Sequence, residues 1–218
     1  MVKLCRLIGM IVFAMLPSSL KLFLLRRRGH SIGEHCYIGL SVVSISRITL
    51  DDYTYIGHFN LIWGPITLHL RRGARVSTGN WITGGPGSYL DLGDNSSVSI
   101  GHYFDSSAGI VIGRNCICAG IGSHFFSHGI TSDNLDERMG ISIGDWCYVG
   151  SSVRFVPGSG VADHTFVGMG AVVTKQHSES YVLLAGIPAT PRKKLQCDSQ
   201  FFDRTFTKQP HHPATYAG

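Results

Sequence analysis

From residue 143 to residue 175 the chain repeats itself every six residues. Ile143, Val149, Phe155, Val161, Val167 and Val173 keep this spacing without slippage, and Gly144, Gly150, Ala162 and Gly168 follow four of them directly. A helix needs a period of 3.6 and a half-buried strand a period of two, so six fits neither. It fits a solenoid in which each six-residue unit is a short strand and a turn, and three units close one coil. The apolar residue then points inward and stacks on its counterparts in adjacent coils. The residue after it turns a corner, where a large side chain clashes or a positive φ is needed, so Gly or Ala is favoured. Each strand bonds to its equivalents one coil away, which leaves open edges only at the two ends.

Residues 29–123 follow the same rhythm less strictly. Ile32-Gly33 and Ile38-Gly39 begin it, and Leu50, Ile56, Ile62 and Leu68 hold the six-residue frame. The frame shifts by two near Leu70, then resumes through Val76 and Ile82. Leu92, Val98, Ile100 and Ile112 extend it. Insertions are expected at residues 84–87 and 103–109, and insertions in a solenoid map to loops, often on the binding side. Residues 124–141 leave the pattern altogether and are rich in polar groups, so they form a candidate active-site loop.

The ends differ from the middle. In residues 1–28 an apolar run over 7–16 is broken by Pro17, and a second apolar piece closes on Arg26, Arg27 and Arg28. The uninterrupted run is about half of the roughly 20 residues a spanning helix needs. Two readings stay open together: amphipathic helices on an anionic membrane surface, or a helical cap over the first coil. Residues 196–218 read as a tail. The net charge of +5 collects at the three arginines and at Arg192, Lys193 and Lys194. Such clusters can hold a phosphate or an anionic lipid head. Six cysteines without a CxxC pair read as small apolar residues in a reducing compartment.

Taken together, Ile143-Gly144-Asp145, Tyr148-Val149-Gly150, the run from Val167 through Val172-Val173-Thr174-Lys175, and Ala185-Gly186-Ile187-Pro188-Ala189 resemble the hexapeptide-repeat acyltransferases, in the branch of maltose-type and polysaccharide O-acetyltransferases. The resemblance covers about residues 29–195. It implies an all-β fold, a left-handed parallel β-helix, with residues 1–28 as a short helical segment. It also implies a homotrimer, acetyl-CoA as co-substrate in a groove between neighbouring prisms, and no metal. The acceptor would be a saccharide or lipid-linked saccharide, and no nucleic acid is expected. The implied location is cytoplasmic, with a peripheral inner-membrane position open.

Acyl transfer to a hydroxyl needs a base, donors for the oxyanion, and two substrates held in line. His128, in Ser123-His124-Phe125-Phe126-Ser127-His128-Gly129, matches the family's catalytic histidine. His124 is the rival, expected inside the solenoid because it lies twelve residues after Ile112. Asp105, Asp133, Asp136 and Glu137 are candidates to orient the base. Maltose-type members contact the acceptor through an Asn one coil earlier. The matching stretch here has no such Asn, and Asp105 stands in its place, with His124 as a second acceptor contact. On the family pattern Gly150 and Ser151 face the pantetheine or thioester, Gly168 and Ala171 lie further along the groove, and Lys175, Arg192, Lys193 and Lys194 face the phosphates. Trp146 reads as corner packing. Alternatives are a sugar N-acetyltransferase and a γ-carbonic-anhydrase-like hydratase; the latter needs a convergence of histidines that only the pair His124 and His128 approaches.

Overall fold

The computed structural model describes residues 2–130 and 137–203. It is a parallel β-solenoid of about seven coils preceded by two helices, α1 (Val2–Met15) and α2 (Ser18–Arg27). Each coil contributes three strands. Face 2 is a nine-stranded sheet running from Tyr37–Ile38 to Thr190–Lys194. Faces 1 and 3 form one continuous thirteen-stranded sheet, because the long strands Val42–Leu50 and Leu61–Leu70 carry pairing round the corner between them. Pairing is parallel throughout the coils, and Thr190–Lys194 runs antiparallel to Val182–Ala185 at the last edge.

Every residue of the strict six-residue series from Ile143 to Val173 is buried. The small residues after them have a specific cause. At Gly113 an added Cβ would lie 2.7 Å from the carbonyl of Gly144, and at Gly144 it would lie 2.5 Å from the amide of Asp163. These glycines are required by the close approach of the next coil, and neither has a positive φ. The left-handed positions lie two residues further on, at Asn115, Trp146 and His164. Trp146 is thus a corner residue, with φ 57°.

The irregular half differs from expectation in three places. Ile100 is exposed, because Val98 and Phe104 are the inward pair on either side of it. The stretch 103–109 is only in part an insertion: Tyr103–Asp105 is a regular face 3 strand, and the extra residues form the turn after it. Third, Phe125 points inward where His124 was expected. The strand Ile117–Ile121 carries one extra residue at a register shift, with Gly120 at φ 67°, so the step from Cys118 to Phe125 is seven residues. Phe104, Phe125 and Phe155 then stack inside the coils, at 4.4 Å and 5.2 Å between rings.

A second internal column distinguishes the two halves. Just before face 3, consecutive coils place Asn60, Asn80, His102 and Ser123, all buried. Each backbone N–H donates to the side chain one coil back: Asn80 to Asn60 Oδ1 (2.9 Å), His102 to Asn80 Oδ1 (2.9 Å), Ser123 to His102 Nδ1 (3.1 Å). From Val153 onward the column is apolar. Burial drives the His102 pKa down to about 4, and the Ser123 N–H requires an unprotonated Nδ1 in any case. Cys116, Cys118 and Cys147 are buried, and burial raises the Cys118 thiol pKa.

The helices cap the first coil. Leu22, Leu25 and Phe13 enter the core, and the buried Lys21 donates Nζ to the carbonyl of Gly39. Arg26 donates to the carbonyls of Ile32 (3.2 Å) and Gly33 (2.7 Å), so one of the three arginines is committed to the cap. No helix among the described residues is long and apolar enough to cross a membrane. At the far end, part of the expected tail is packed: the Phe201 ring lies 4.7 Å from that of Phe166, and the Phe202 ring 5.1 Å from that of His164. Residues 204–218 lie outside the described residues.

Candidate active site

The excursion from the solenoid starts after Phe126, at the corner between faces 3 and 1. Ser127 is buried and pins its base. Its N–H and Oγ both donate to the carbonyl of Asp105 (3.1 and 2.7 Å), and its Oγ accepts from the N–H of Ala108 (2.9 Å). The two-residue strand His128–Gly129 then pairs antiparallel with Glu137–Arg138. Met139 donates to the carbonyl of Ser127, and Gly158 of the following coil donates to Met139. The loop's base is therefore tied to the coils on both sides.

This places His128 beside Asp105, one coil earlier. His128 Nδ1 lies 3.7 Å from Asp105 Oδ2, within ion-pair reach. The other carboxylate oxygen accepts from the N–H (3.1 Å) and Oγ (2.5 Å) of Ser107, which fixes its plane. Asp105 is the more buried partner. Of the other orienting candidates, Asp133, Asp136 and the side chain of Glu137 lie outside the described residues.

His124 lies on the outer surface of face 3, since Phe125 took the inward place. Its ring packs edge-on to Tyr103 (5.9 Å) and Phe126 (5.7 Å). Partial burial, and then the charge of Arg154, lower its pKa. Burial, with the nearby Asp105 carboxylate adding to it, raises that of Tyr103.

The residues expected to face the acyl donor stand elsewhere. Gly150, Ser151, Gly168 and Ala171 line the corner between faces 2 and 3, and Arg192 reaches it by donating Nε to the carbonyl of Ala185 (3.4 Å). Gly150 is buried, its N–H donates to Val167 (2.9 Å) and its carbonyl accepts from Ser123 Oγ (2.9 Å), so it contributes a close-approach surface and no free N–H. Ala171 is likewise buried. Ser151 Oγ accepts from the N–H of Ile121 (3.3 Å). Lys175 is exposed at the corner that bears His128, two coils on, and Lys193 is exposed on the antiparallel edge strand. Lys194 pairs with Glu179. Within one chain, face 3 separates the histidine from Gly150, Ser151, Gly168, Ala171 and Arg192.

Two surface features escaped the sequence reading. The corner between faces 2 and 3 exposes a line of apolar residues, Ile100, Ile121, Met169 and Ile187. Face 3 itself exposes Trp63 and Trp81. Inward and outward positions alternate along a strand, so the missing signal was the frame itself: once Ile62 and Ile82 are inward, both tryptophans must be outward. Among the described residues no group of three or more His, Cys, Asp or Glu is placed to hold a metal ion.

No protein-family model matches the chain. Solved structures of similar fold include the polysialic acid O-acetyltransferase OatWY, at 19% identity over 76% of this chain and 88% of that one, with a TM-score of 0.54. The polySia-specific acetyltransferase NeuO matches at 16% identity over 76% and 79%, with a TM-score of 0.53. A hexapeptide-repeat-containing acetyltransferase from Vibrio cholerae matches at 20% identity over 49% of this chain and 63% of its own length, less than two thirds, with a TM-score of 0.44. The chain therefore has the hexapeptide-repeat β-solenoid fold, which it shares with acetyltransferases.

Proposed function

We propose that the protein transfers an acyl group, acetyl in the simplest case, from an acyl-CoA to a hydroxyl of a saccharide in surface polysaccharide or lipopolysaccharide. The observation that carries this reading is the pair His128 and Asp105, 3.7 Å apart at the base of the one long excursion, with the carboxylate held by Ser107. A carboxylate beside Nδ1 favours the tautomer with its proton there, which leaves the Nε2 lone pair to take a hydroxyl proton. The hydroxyl oxygen then bonds to the thioester carbonyl carbon. As the carbon–sulfur bond breaks, the proton held by Nε2 passes to the leaving sulfur. Asp105 stabilises the imidazolium between these two transfers.

The donor site is assembled between copies in this reading. Gly150, Ser151, Gly168, Ala171 and Arg192 lie along one corner and His128 and Lys175 along the other, so a second copy must bring the two corners together. Lys193 adds positive charge for the phosphates. The exposed apolar corner supports this, because monomers seldom leave such a line uncovered. A heterologous contact makes a ring where its rotation closes, and in this reading it closes as a trimer. The outer face of α1, with Ile8, Ile11, Val12 and Met15 exposed, lies against the anionic inner membrane surface in this reading, and the exposed Arg27, against the Phe23 ring of α2, adds positive charge.

His128→Ala is expected to lower turnover about 10²–10⁴-fold while coenzyme A binding persists. Normal turnover in that variant overturns the assignment of the base, and transfer to amino sugars alone overturns the hydroxyl acceptor. Light scattering on the purified protein tests the trimer. Cosedimentation with vesicles of phosphatidylcholine, with and without phosphatidylglycerol, tests the membrane contact.

A further inference from the structure

The outer surface of face 3 carries two columns of side chains in register. One holds Leu61, Trp81, Tyr103 and His124; the other holds Trp63, Thr83, Asp105 and Phe126. Trp63 is 48% exposed and Trp81 49%. Trp81, Tyr103, His124 and Phe126 form a continuous ring-to-ring chain, with centroid distances of 5.3 Å from Trp81 to Tyr103 and 5.5 Å from Tyr103 to Phe126. The second column carries Asp105, the partner of His128, one coil before its last residue, Phe126.

The composition of this surface differs from that of the neighbouring corner. The apolar line along that corner, Ile100, Ile121, Met169 and Ile187, is aliphatic. Face 3 alternates aromatic rings with hydrogen-bonding groups: Thr83, the Tyr103 hydroxyl, Asp105 and His124. The face of an aromatic ring is electron-rich and attracts weakly positive C–H hydrogens. A pyranose offers such C–H groups on its flat side and hydroxyls round its rim, so rings interleaved with polar groups match its chemistry. From the coil of Trp63 to the coil of His124 is three strand spacings, about 14 Å, longer than one sugar ring.

We propose that face 3 binds a run of several sugar units, stacked on Trp63, Trp81 and Tyr103, with the terminal or modified unit at His128. This rests on the acyl-transfer reading above and adds to it the class of acceptor: an assembled oligosaccharide or polysaccharide rather than a monosaccharide precursor. Glycosyl transfer must then come before acylation, because the surface is filled only by a chain already built.

The test uses maltooligosaccharides and oligosialic acids of one, three and six units, with wild type, Trp81→Ala, Trp63→Ala and Trp81→Phe. Binding is read by tryptophan fluorescence without an acyl donor, and transfer by kcat/KM with acetyl-CoA. Affinity in the wild type is expected to rise with length in at least one series. Trp81→Ala removes about tenfold of that gain, Trp63→Ala removes a part seen only with the longest member, and Trp81→Phe restores most of it. Length-independent binding, or no binding from either series, overturns the proposal. So does dissociation of an oligomer in Trp81→Ala, which makes the surface an interface between copies. Length-dependent binding without transfer to any saccharide leaves the platform standing and removes the acyl-transfer reading instead.

Discussion

The coils before the excursion loop and the coils after it solve the same packing problem in different ways. From residue 141 to residue 173 each coil is minimal, the six-residue series facing inward is valine, isoleucine and phenylalanine, and the corner before face 3 is filled by Val153 and Ala171. In the earlier coils that corner is polar and buried, built from Asn60, Asn80, His102 and Ser123 bonded from coil to coil. Extra residues at Gly120 and in the turns after face 3 break the rhythm there. The exposed tryptophans and the Asp105 carboxylate also belong to the earlier half. The regular half supplies a rigid base, since its strands carry little besides the stack. In the function proposed above the irregular half would carry the chemistry, because a bulge or a long turn re-aims side chains that a strict repeat would hold in place.

If the aromatic stack joins the halves mechanically, Phe125→Ala is the most damaging substitution to test. Phe125 lies between Phe104 and Phe155, and its loss should cost about 3–5 kcal/mol, read from the denaturant midpoint. An effect as small as that of an exposed substitution would mean that the halves do not share one core.

Acidification should strain the polar corner next. The His102 pKa falls from 6.5 to about 4 in the folded chain. A depressed histidine pKa means that the unfolded chain binds the proton first as pH falls. Stability is thus full above about 6.5 and is lost from there down to about 4, to a total of about 3 kcal/mol. His102→Asn, which can keep an acceptor for Ser123, should flatten that slope in thermal melts across the same range. An unchanged slope would assign it to other lowered histidines, such as His30 and His177.

Asn80→Ala should cost about 1–3 kcal/mol, because it leaves the buried N–H of His102 and the half-buried carbonyl of Ser99 without their partner. In the regular half the equivalent corner has no such donor to lose, so Val153→Ala should cost only what its lost methyl groups bury. Equal costs at the two positions would erase the distinction between polar and apolar corners.

The smallest effect tests the turns. Ser152 has φ 57° at a corner where other coils place Gly79, Gly101 and Gly170. Ser152→Gly should raise stability by less than about 1 kcal/mol, the relief of left-handed strain exceeding the entropy lost from a more flexible unfolded chain. A lower melting temperature would show that the serine makes up the strain through a contact of its own.

The six-residue period, read from residues 143–175, was enough to define the solenoid, its inward column and its close corners. Those are properties of local spacing: a β-strand and a turn of set length place the same residue at the same point of every coil. The histidine-bearing loop was legible for the same reason, as a stretch where the spacing stops. Periodicity could not say which histidine faces out once a single extra residue intervenes, and so His124 was placed inside. The bulge at Gly120 moved it to the surface and sent Phe125 to the core.

The pairing of Asp105 with His128 was out of reach of spacing as well, since it spans one coil and depends on how Ser127 pins the loop. The aromatic surface of face 3 depends on register between four strands far apart in sequence. Left to itself, the sequence determined the fold, because burial of an apolar column repeats locally and every repeat votes for it. Which side chains meet at the surface was decided only by the tertiary structure, because one inserted residue reverses inside and outside for the strand that follows.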